Sequence, residues 1–318
     1  MQDIEQLLAA VSVAPAVQFR NLAVFPLLGA GGAAPDYLTL DESLEAQLAH
    51  VTEVSESGSV PELAFENGAD RDILLLDGEE LVGARQNRII NLTILVGAGQ
   101  KLVIPVSCVE RGRWSYRSRE FGTAKRKLFA RARAAKMAQV SRSMERDGLR
   151  AADQSAIWSD ISGKSARLDV RSETQSMSDI YEQRNAALAG YQQAIRAVPG
   201  QIGAVFAVDG EVRGVEILDA PASFAKFLDK LTASYAMDAI DTDRLREAGP
   251  SLDEVRDFLT RVQAASGRRF PALGKGEDVR LEAPGLAGGA LVADGRIVHL
   301  AAFALEGSAP EDAEVAFE

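Results

Sequence analysis

An α+β protein is what the sequence predicts, with antiparallel β-sheet layers from the N- and C-terminal parts and a helical central region. Three observations carry this reading. Short apolar runs with period-two alternation, several punctuated by Asp-Gly, occupy residues 71–110, 203–218 and 279–305. Between them, Met177, Tyr181, Leu188, Tyr191 and Ile195 recur at helical intervals. Ser251-Leu-Asp-Glu254 is a capping box ahead of Val255, Phe258, Leu259 and Val262, which share one helical face. At 318 residues the chain exceeds one small core. We read it as a β-rich part over 1–122, a helical region over 123–200 and an α+β part over 201–318. The first and last parts can join in one compact body.

Composition narrows the functions. Forty-six acidic against thirty-five basic side chains give a net charge of −11, which opposes non-specific binding to nucleic acid or to anionic membranes. Cys108 is the only cysteine, so no intramolecular disulfide forms. With His50 and His299 as the only histidines, no zinc-ligand spacing can be assembled, and neither metal nor cofactor is expected. The first fifteen residues lack a basic region followed by an apolar one, and no run of about 18 apolar residues occurs. A cytoplasmic location, off the membrane, is the expectation.

In order along the chain, Ile4, Leu7, Leu8 and Val11 give a short amphipathic helix. Residues 17–28 read as a strand pair or one bulged strand, which Pro26 restricts to an edge. Glycine-rich 29–36 lacks the Gly-Lys-Ser/Thr of a phosphate loop and reads as a surface loop. Asp41-Glu42-Ser43 opens a helix with Leu44, Leu48 and Val51 on one face and His50 beside it. Ile73–Leu76 is a buried strand, Asp77-Gly78 turns a hairpin, and a return strand starts at Leu81. A longer strand runs through Ile89–Val96, with Arg85, Asn87, Asn91 and Thr93 on one face. The next strand has Leu102, Ile104, Val106 and Cys108 in an apolar row that ends at Glu110, and Pro105 puts it at an edge or bulge. Helix is expected from about Thr123 to Val198, interrupted by an exposed loop over Ser162–Ser172. Gly163-Lys164-Ser165 there is a chance echo of a Walker A motif. Hairpins with Asp209-Gly210 and Asp294-Gly295 at their tips flank a helix carrying Phe224, Phe227, Leu228, Leu231 and Tyr235. His299 sits in a strand as a satisfied core residue. The acidic end, 306–318, reads as frayed. The three Asp-Gly units also echo one another faintly as a repeated strand-turn-strand.

The unusual residues concentrate in 71–120, where Glu79, Glu80, Arg85, Gln86, Asn87, Arg88 and Asn91 interrupt apolar strands. A strand needs none of them for its structure. From Arg111 to Lys136 basic residues interleave with Trp114, Tyr116, Phe121 and Phe129. That stretch reads either as a solvated helix face or as a surface for anions or single strands, so nucleic acid is disfavoured but left open.

Gly78–Val96, Ile104–Trp114 and Gly203–Ala239, in that order, resemble the ARG and rhodanese-phosphatase-superfamily-associated protein domain family. The resemblance carries across Gly78, Glu79, Glu80, Gln86, Asn87, Arg88, Asn91, Cys108, Glu110, Arg111 and Trp114. The family name implies a context of ADP-ribosylglycohydrolases and of rhodanese or phosphatase proteins, and no reaction.

Two functions follow. The first is binding or processing of an anionic, nucleotide-like small molecule, for which the resemblance implies an ADP-ribose-related setting. Glu79 and Glu80 would hold ribose hydroxyls or exchange protons. Arg85, Arg88 and Arg111 would meet phosphate, Gln86, Asn87, Asn91 and Glu110 would orient polar edges, and Trp114 would stack. The second is a non-catalytic interaction or scaffold module in which the same cluster is a buried polar network. A thiol enzyme using Cys108 is weaker, because the sequence puts no base beside it. Neither the reaction nor the oligomeric state is fixed by the sequence.

Overall fold

Alternating apolar strands from the two ends of the chain meet in one sheet. The computed structural model describes residues 1–30, 35–55, 58–242 and 248–305. In chain order these form α1 (Gln2–Ala10), β1 (Ser12–Val13), β2 (Val17–Phe19), β3 (Leu22–Leu28), β4 (Tyr37–Thr39), α2 (Leu40–Glu45), β5 (Ala49–Glu53), β6 (Glu62–Asn67), β7 (Asp72–Leu75), β8 (Glu79–Gly83), β9 (Arg88–Ile90), β10 (Ile94–Val96), β11 (Lys101–Cys108) and β12 (Phe121–Lys127). The central helices are α3 (Ala130–Asp147), α4 (Gln154–Arg167), α5 (Met177–Gln183) and α6 (Asn185–Ala194). The chain then forms β13 (Gln201–Val208), β14 (Glu211–Leu218), α7 (Pro221–Ile240), α8 (Leu252–Ala264), β15 (Ser266–Pro271), β16 (Glu277–Ala283), β17 (Leu286–Ala293) and β18 (Arg296–Ala304). This is an α+β fold.

The large sheet runs β1-β3-β13-β14-β18-β17-β16-β15, with β2 also on β3. Helices cover both of its faces. On one, Ile4 and Leu8 of α1 and Val255, Phe258 and Val262 of α8 pack against Phe25, Val205 and Val215. On the other, α3 and α7 pack against it, with Tyr235 stacked on Phe206 at 4.1 Å between ring centroids. Asp209-Gly210 and Asp294-Gly295 turn the β13–β14 and β17–β18 hairpins with both residues of each pair at positive φ, which glycine tolerates and aspartate accepts. Pro26 is not on an edge strand. β3 has β13 on one side, while on the other β2 ends at Val24 and β1 begins at Leu27, so the missing N–H falls in a gap.

The smaller sheet, β12-β8-β9-β11-β6-β5, curls until its edge strands β12 and β5 touch, and α2 covers the seam. There the Thr123 hydroxyl donates to Asp41 at 2.5 Å and His50 bonds Glu120 at 3.0 Å. Ala49 and Val51, Leu63, Phe65, Leu81, Ile90, Ile104, Val106 and Phe121 fill the interior. A third sheet, β10-β7-β4, lies alongside.

Several expectations from the sequence are corrected here. Asp77-Gly78 turns no hairpin: β7 pairs with β10 and β4, β8 with β12 and β9, so the chain changes sheets at Gly78. The Asp-Gly echo therefore holds for two units. Residues 89–96 are two strands, because 91–93 leave the ladder where Asn91 N–H bonds the Pro105 carbonyl. β11 exchanges β6 for β9 at Pro105, so that proline sits at a handover within the sheet. The helix opened by Thr39 stops at Glu45, and Gln47 at φ 56° turns the chain into β5, which carries His50 and Val51. Leu44, Leu48 and Val51 had mimicked one helical face. Residues 121–127 are strand, so the 122/123 division falls inside β12, and Ser162–Arg167 continue α4 where a loop was expected. Lys164 is buried on Asp238 and Asp241, each at 2.8 Å, which disposes of the phosphate-loop echo. Part of the glycine-rich 29–36 segment and the 306–318 tail lie outside the described residues.

A buried charge network welds the layers. Arg133 of α3 donates to Asp77 at 3.0 Å and to Glu216 of β14 at 2.6 Å. His299 of β18 bridges Glu216 at 3.0 Å and the Thr93 hydroxyl at 2.8 Å. Lys136 pairs with Asp77 and donates to the Asn91 carbonyl at 2.6 Å. Burial opposes ionisation of Glu216, yet Arg133 and His299 hold its carboxyl down to about 2. Four of the ten basic side chains in the 111–136 stretch are buried, Arg113, Lys127, Arg133 and Lys136.

Candidate functional site

Strand alternation divides the polar stretch between the two faces of the curled sheet and beyond its ends. Glu80 of β8 points outward, toward α5. It is 1% exposed, and its Oε1 accepts from the Ser178 hydroxyl at 2.8 Å while Oε2 has no hydrogen-bond partner. Burial pushes this carboxyl up to about 7 despite the Ser178 bond and the Arg126 charge. Asn87 Nδ2 donates to the same Ser178 oxygen at 3.2 Å. Outside them lies a pocket of about 470 Å³, lined by Val82, Asn87, Arg117, Arg126, Ser178 and Glu182 among others. That is the size of a small-ligand site. A carboxyl poised near neutrality against a hydroxyl that lines a pocket with Arg117 and Arg126 on its wall can exchange a proton with a polar anion.

Arg88 of β9 points the other way, into the curled sheet. The register puts it opposite Cys108 and Leu81, whose side chains share that interior face. It is fully buried, and its Nη1 donates to the Gln86 carbonyl at 3.0 Å and to Gln86 Oε1 at 3.2 Å. Nε and Nη2 have no partner. Burial lowers its pKa. Trp114, 45% exposed, lies over this end of the sheet, 5.8 Å from Arg88 and 5.5 Å from Arg85.

The remaining candidates are engaged elsewhere. Glu79 sits at the far end of β8, accepting from Lys230 at 2.6 Å and from Leu76 N–H at 2.6 Å. Asn91 bonds the Arg150 carbonyl at 3.0 Å and Ser107 at 2.7 Å. For Glu110 burial raises the carboxyl, but Arg113 at 2.6 Å, Asn87 N–H and Thr174 outweigh it and hold it below its ordinary value. Arg111 is exposed over the Trp158 ring at 5.4 Å. The shared face expected of Arg85, Asn87, Asn91 and Thr93 is therefore not found, since the strand that would have aligned them is broken at 91–93.

Residues 10–303 match the sequence model of the ARG and Rhodanese-Phosphatase-superfamily-associated Protein domain. The chain belongs to this family. No curated protein and no solved structure matches it. Nearly the whole of this ARPP-1 chain is thus the family domain, and both ends of the curled sheet lie within it. Among the described residues no group of three or more His, Cys, Asp and Glu side chains is placed to hold a metal, and no helix is long and apolar enough to cross a membrane.

Sequence reasoning left Arg117 and Arg126 of this ARPP-1 domain in a basic stretch with no place in the site, and it missed Ser178 and Glu53. Ser178 lies 98 positions from Glu80, with no local signal. Glu53 was hidden by the helical reading of 41–51. Read as a strand, Ala49, Val51 and Glu53 form one row, and an acid at the end of an inward row is the signal. Cys108 is buried, donates to Gln86 Oε1 at 3.0 Å, and has its pKa raised by burial. Iodoacetamide at pH 7.5 is expected to alkylate the native thiol at least about 100-fold more slowly than the urea-unfolded one, since only an accessible thiolate reacts. Equal rates, followed by mass spectrometry, would restore the thiol-enzyme reading.

Proposed function

We propose that this chain binds a small anionic, nucleotide-like molecule in the Glu80 pocket and exchanges a proton with it through that carboxyl. The observation that carries the reading is the buried Glu80 carboxyl beside an open pocket, with one oxygen on Ser178 and the other unpaired. Arg117 and Arg126 at the pocket wall supply positive charge for a phosphate, and Asn87 fixes the Ser178 hydroxyl. An ADP-ribose-related ligand inside the cell is the form of this reading that follows from the context the family's name implies.

A thermal-shift screen of ADP-ribose, NAD and mononucleotides tests the proposal, because a ligand selective for the native state raises its midpoint by mass action. At least one compound is expected to raise the wild-type midpoint and to lose that effect in Arg126→Ala. A screen in which none does so defeats the reading.

The satisfied bonding of Glu79, Asn91 and Glu110 favours a second reading for those residues, a structural network in a non-catalytic module. Glu79→Gln is then expected to cost several degrees through the lost Lys230 pair, whereas Glu80→Gln costs none at neutral pH. Equal losses at both would extend the network to Glu80.

A further inference from the structure

The mouth of the curled sheet holds a second unexplained group. Three connections meet there: the described residues 58–61 ahead of β6, 84–87 between β8 and β9, and 109–120 between β11 and β12. They are tied together, with Arg113 donating to the Ala84 carbonyl at 2.7 Å and Arg117 N–H to the same carbonyl at 3.0 Å. A Cβ built on Gly58 would stand 3.3 Å from the Trp114 ring, so the first connection closes on the third. Open ends of small β-barrels are common ligand sites.

Just inside this mouth the interior rows end in polar groups where apolar ones would be expected: Arg88 after Ile90, Cys108 after Val106 and Glu53 after Val51. Arg88 is held in one orientation, its Nη1 fixed by the Gln86 carbonyl and side chain. What is left over is the Nε–Nη2 edge, the side of a guanidinium that receives two oxygens of a planar anion in parallel. Burying two donors without partners is costly. Nearby, the Arg113 Nε is also a buried donor without an acceptor. Both Glu53 carboxylate oxygens are covered and unpartnered, within electrostatic reach of Arg88 but not bonded to it. A carboxyl group there disfavours a dianion more than a monoanion.

We infer that the mouth is a binding site for a small monocarboxylate, held bidentate on the Nε–Nη2 edge of Arg88 beneath Trp114, with Glu53 excluding phosphate dianions. This site lies on the face of the sheet opposite Glu80 and stands whether or not the Glu80 pocket does what is proposed above. Arg88 would be the binding residue, Gln86 the positioning residue that turns its free edge inward, and Trp114 the cover. Arg88→Lys keeps the charge and removes the fork, so it separates bidentate recognition from simple attraction.

The test uses the full chain and its own fluorescence, since Trp114 and Trp158 are its only tryptophans. Sodium acetate, sodium phosphate at pH 8 and sodium chloride are titrated at matched ionic strength. Acetate is expected to give a saturable change that is absent with chloride, lost in Trp114→Phe and retained in Glu80→Gln. Phosphate is expected to bind at least about tenfold more weakly, and Glu53→Gln to narrow that gap. Arg88→Lys should weaken acetate at least about tenfold. If that variant fails to fold, the wild-type comparison of acetate with phosphate still decides. No saturable response to acetate, phosphate binding as tight as acetate, or an unaltered response in folded Arg88→Lys overturns the inference.

Discussion

Arg133→Met is expected to cost the fold about 3–5 kcal/mol, the largest single loss predicted for this chain. Arg133 is fully buried and joins Asp77 to Glu216, so its removal leaves two buried carboxylates short of positive charge. Asp77 would keep Lys136, and Glu216 would keep His299, whose own pKa burial has lowered, the Tyr235 hydroxyl at 3.5 Å and the more distant charge of Lys127. Isosteric packing by methionine does not compensate an unpaired charge. Urea unfolding should show a fall in the midpoint with little change in slope. Neutralising the orphaned partners in the same chain, with Asp77→Asn and Glu216→Gln, should recover part of the loss. A midpoint within experimental error of wild type for Arg133→Met alone would mean that the layers are not joined through this network.

Glu80→Gln is expected to act in the opposite direction on stability while removing function. The Glu80 pKa is raised by burial to about 7 from an unfolded value near 4.5. Between those values the folded state holds a proton that the unfolded chain has released. Wild-type stability from this group is therefore fully present below about pH 4.5 and is lost as pH rises through 7. The loss comes to about 3 kcal/mol, at about 1.4 kcal/mol per unit. Glutamine carries no charge to bury, so the variant should match wild type near pH 4 and exceed it by up to about 3 kcal/mol at pH 8. A gain in stability with a loss of ligand response is the signature of a residue kept for chemistry. A variant less stable than wild type at pH 8 would instead make Glu80 part of the structural network.

The fold was legible where one signal dominated. The capping box at Ser251, the Asp-Gly turns at 209–210 and 294–295 and the apolar face of α7 report local geometry, and local geometry decided those elements. It failed where partners were distant. Nothing near Gly78 says that β7 and β8 join different sheets, because that depends on β4, β10 and β12. Leu44, Leu48 and Val51 fit a helical period, and a left-handed Gln47 overrode it. For the site, residue identity was legible and direction was not. The β8–β9 register pairs Leu81 with Arg88 and Glu80 with Ile89, and that pairing sends Arg88 inward while Glu80 faces out. Ser178 and Arg126, which complete the Glu80 pocket, come from elements whose packing the sequence does not declare.

The most direct test is the titration of Glu80 itself, followed as a pH-dependent carboxylate band in infrared difference spectra or by carbon NMR of glutamate-labelled protein. Comparison of wild type with Glu80→Gln assigns the signal. A carboxyl that titrates near 7, and moves when a ligand from the screen occupies the pocket, is the expected result. A Glu80 signal that titrates near 4.5, indifferent to every such compound, would contradict it.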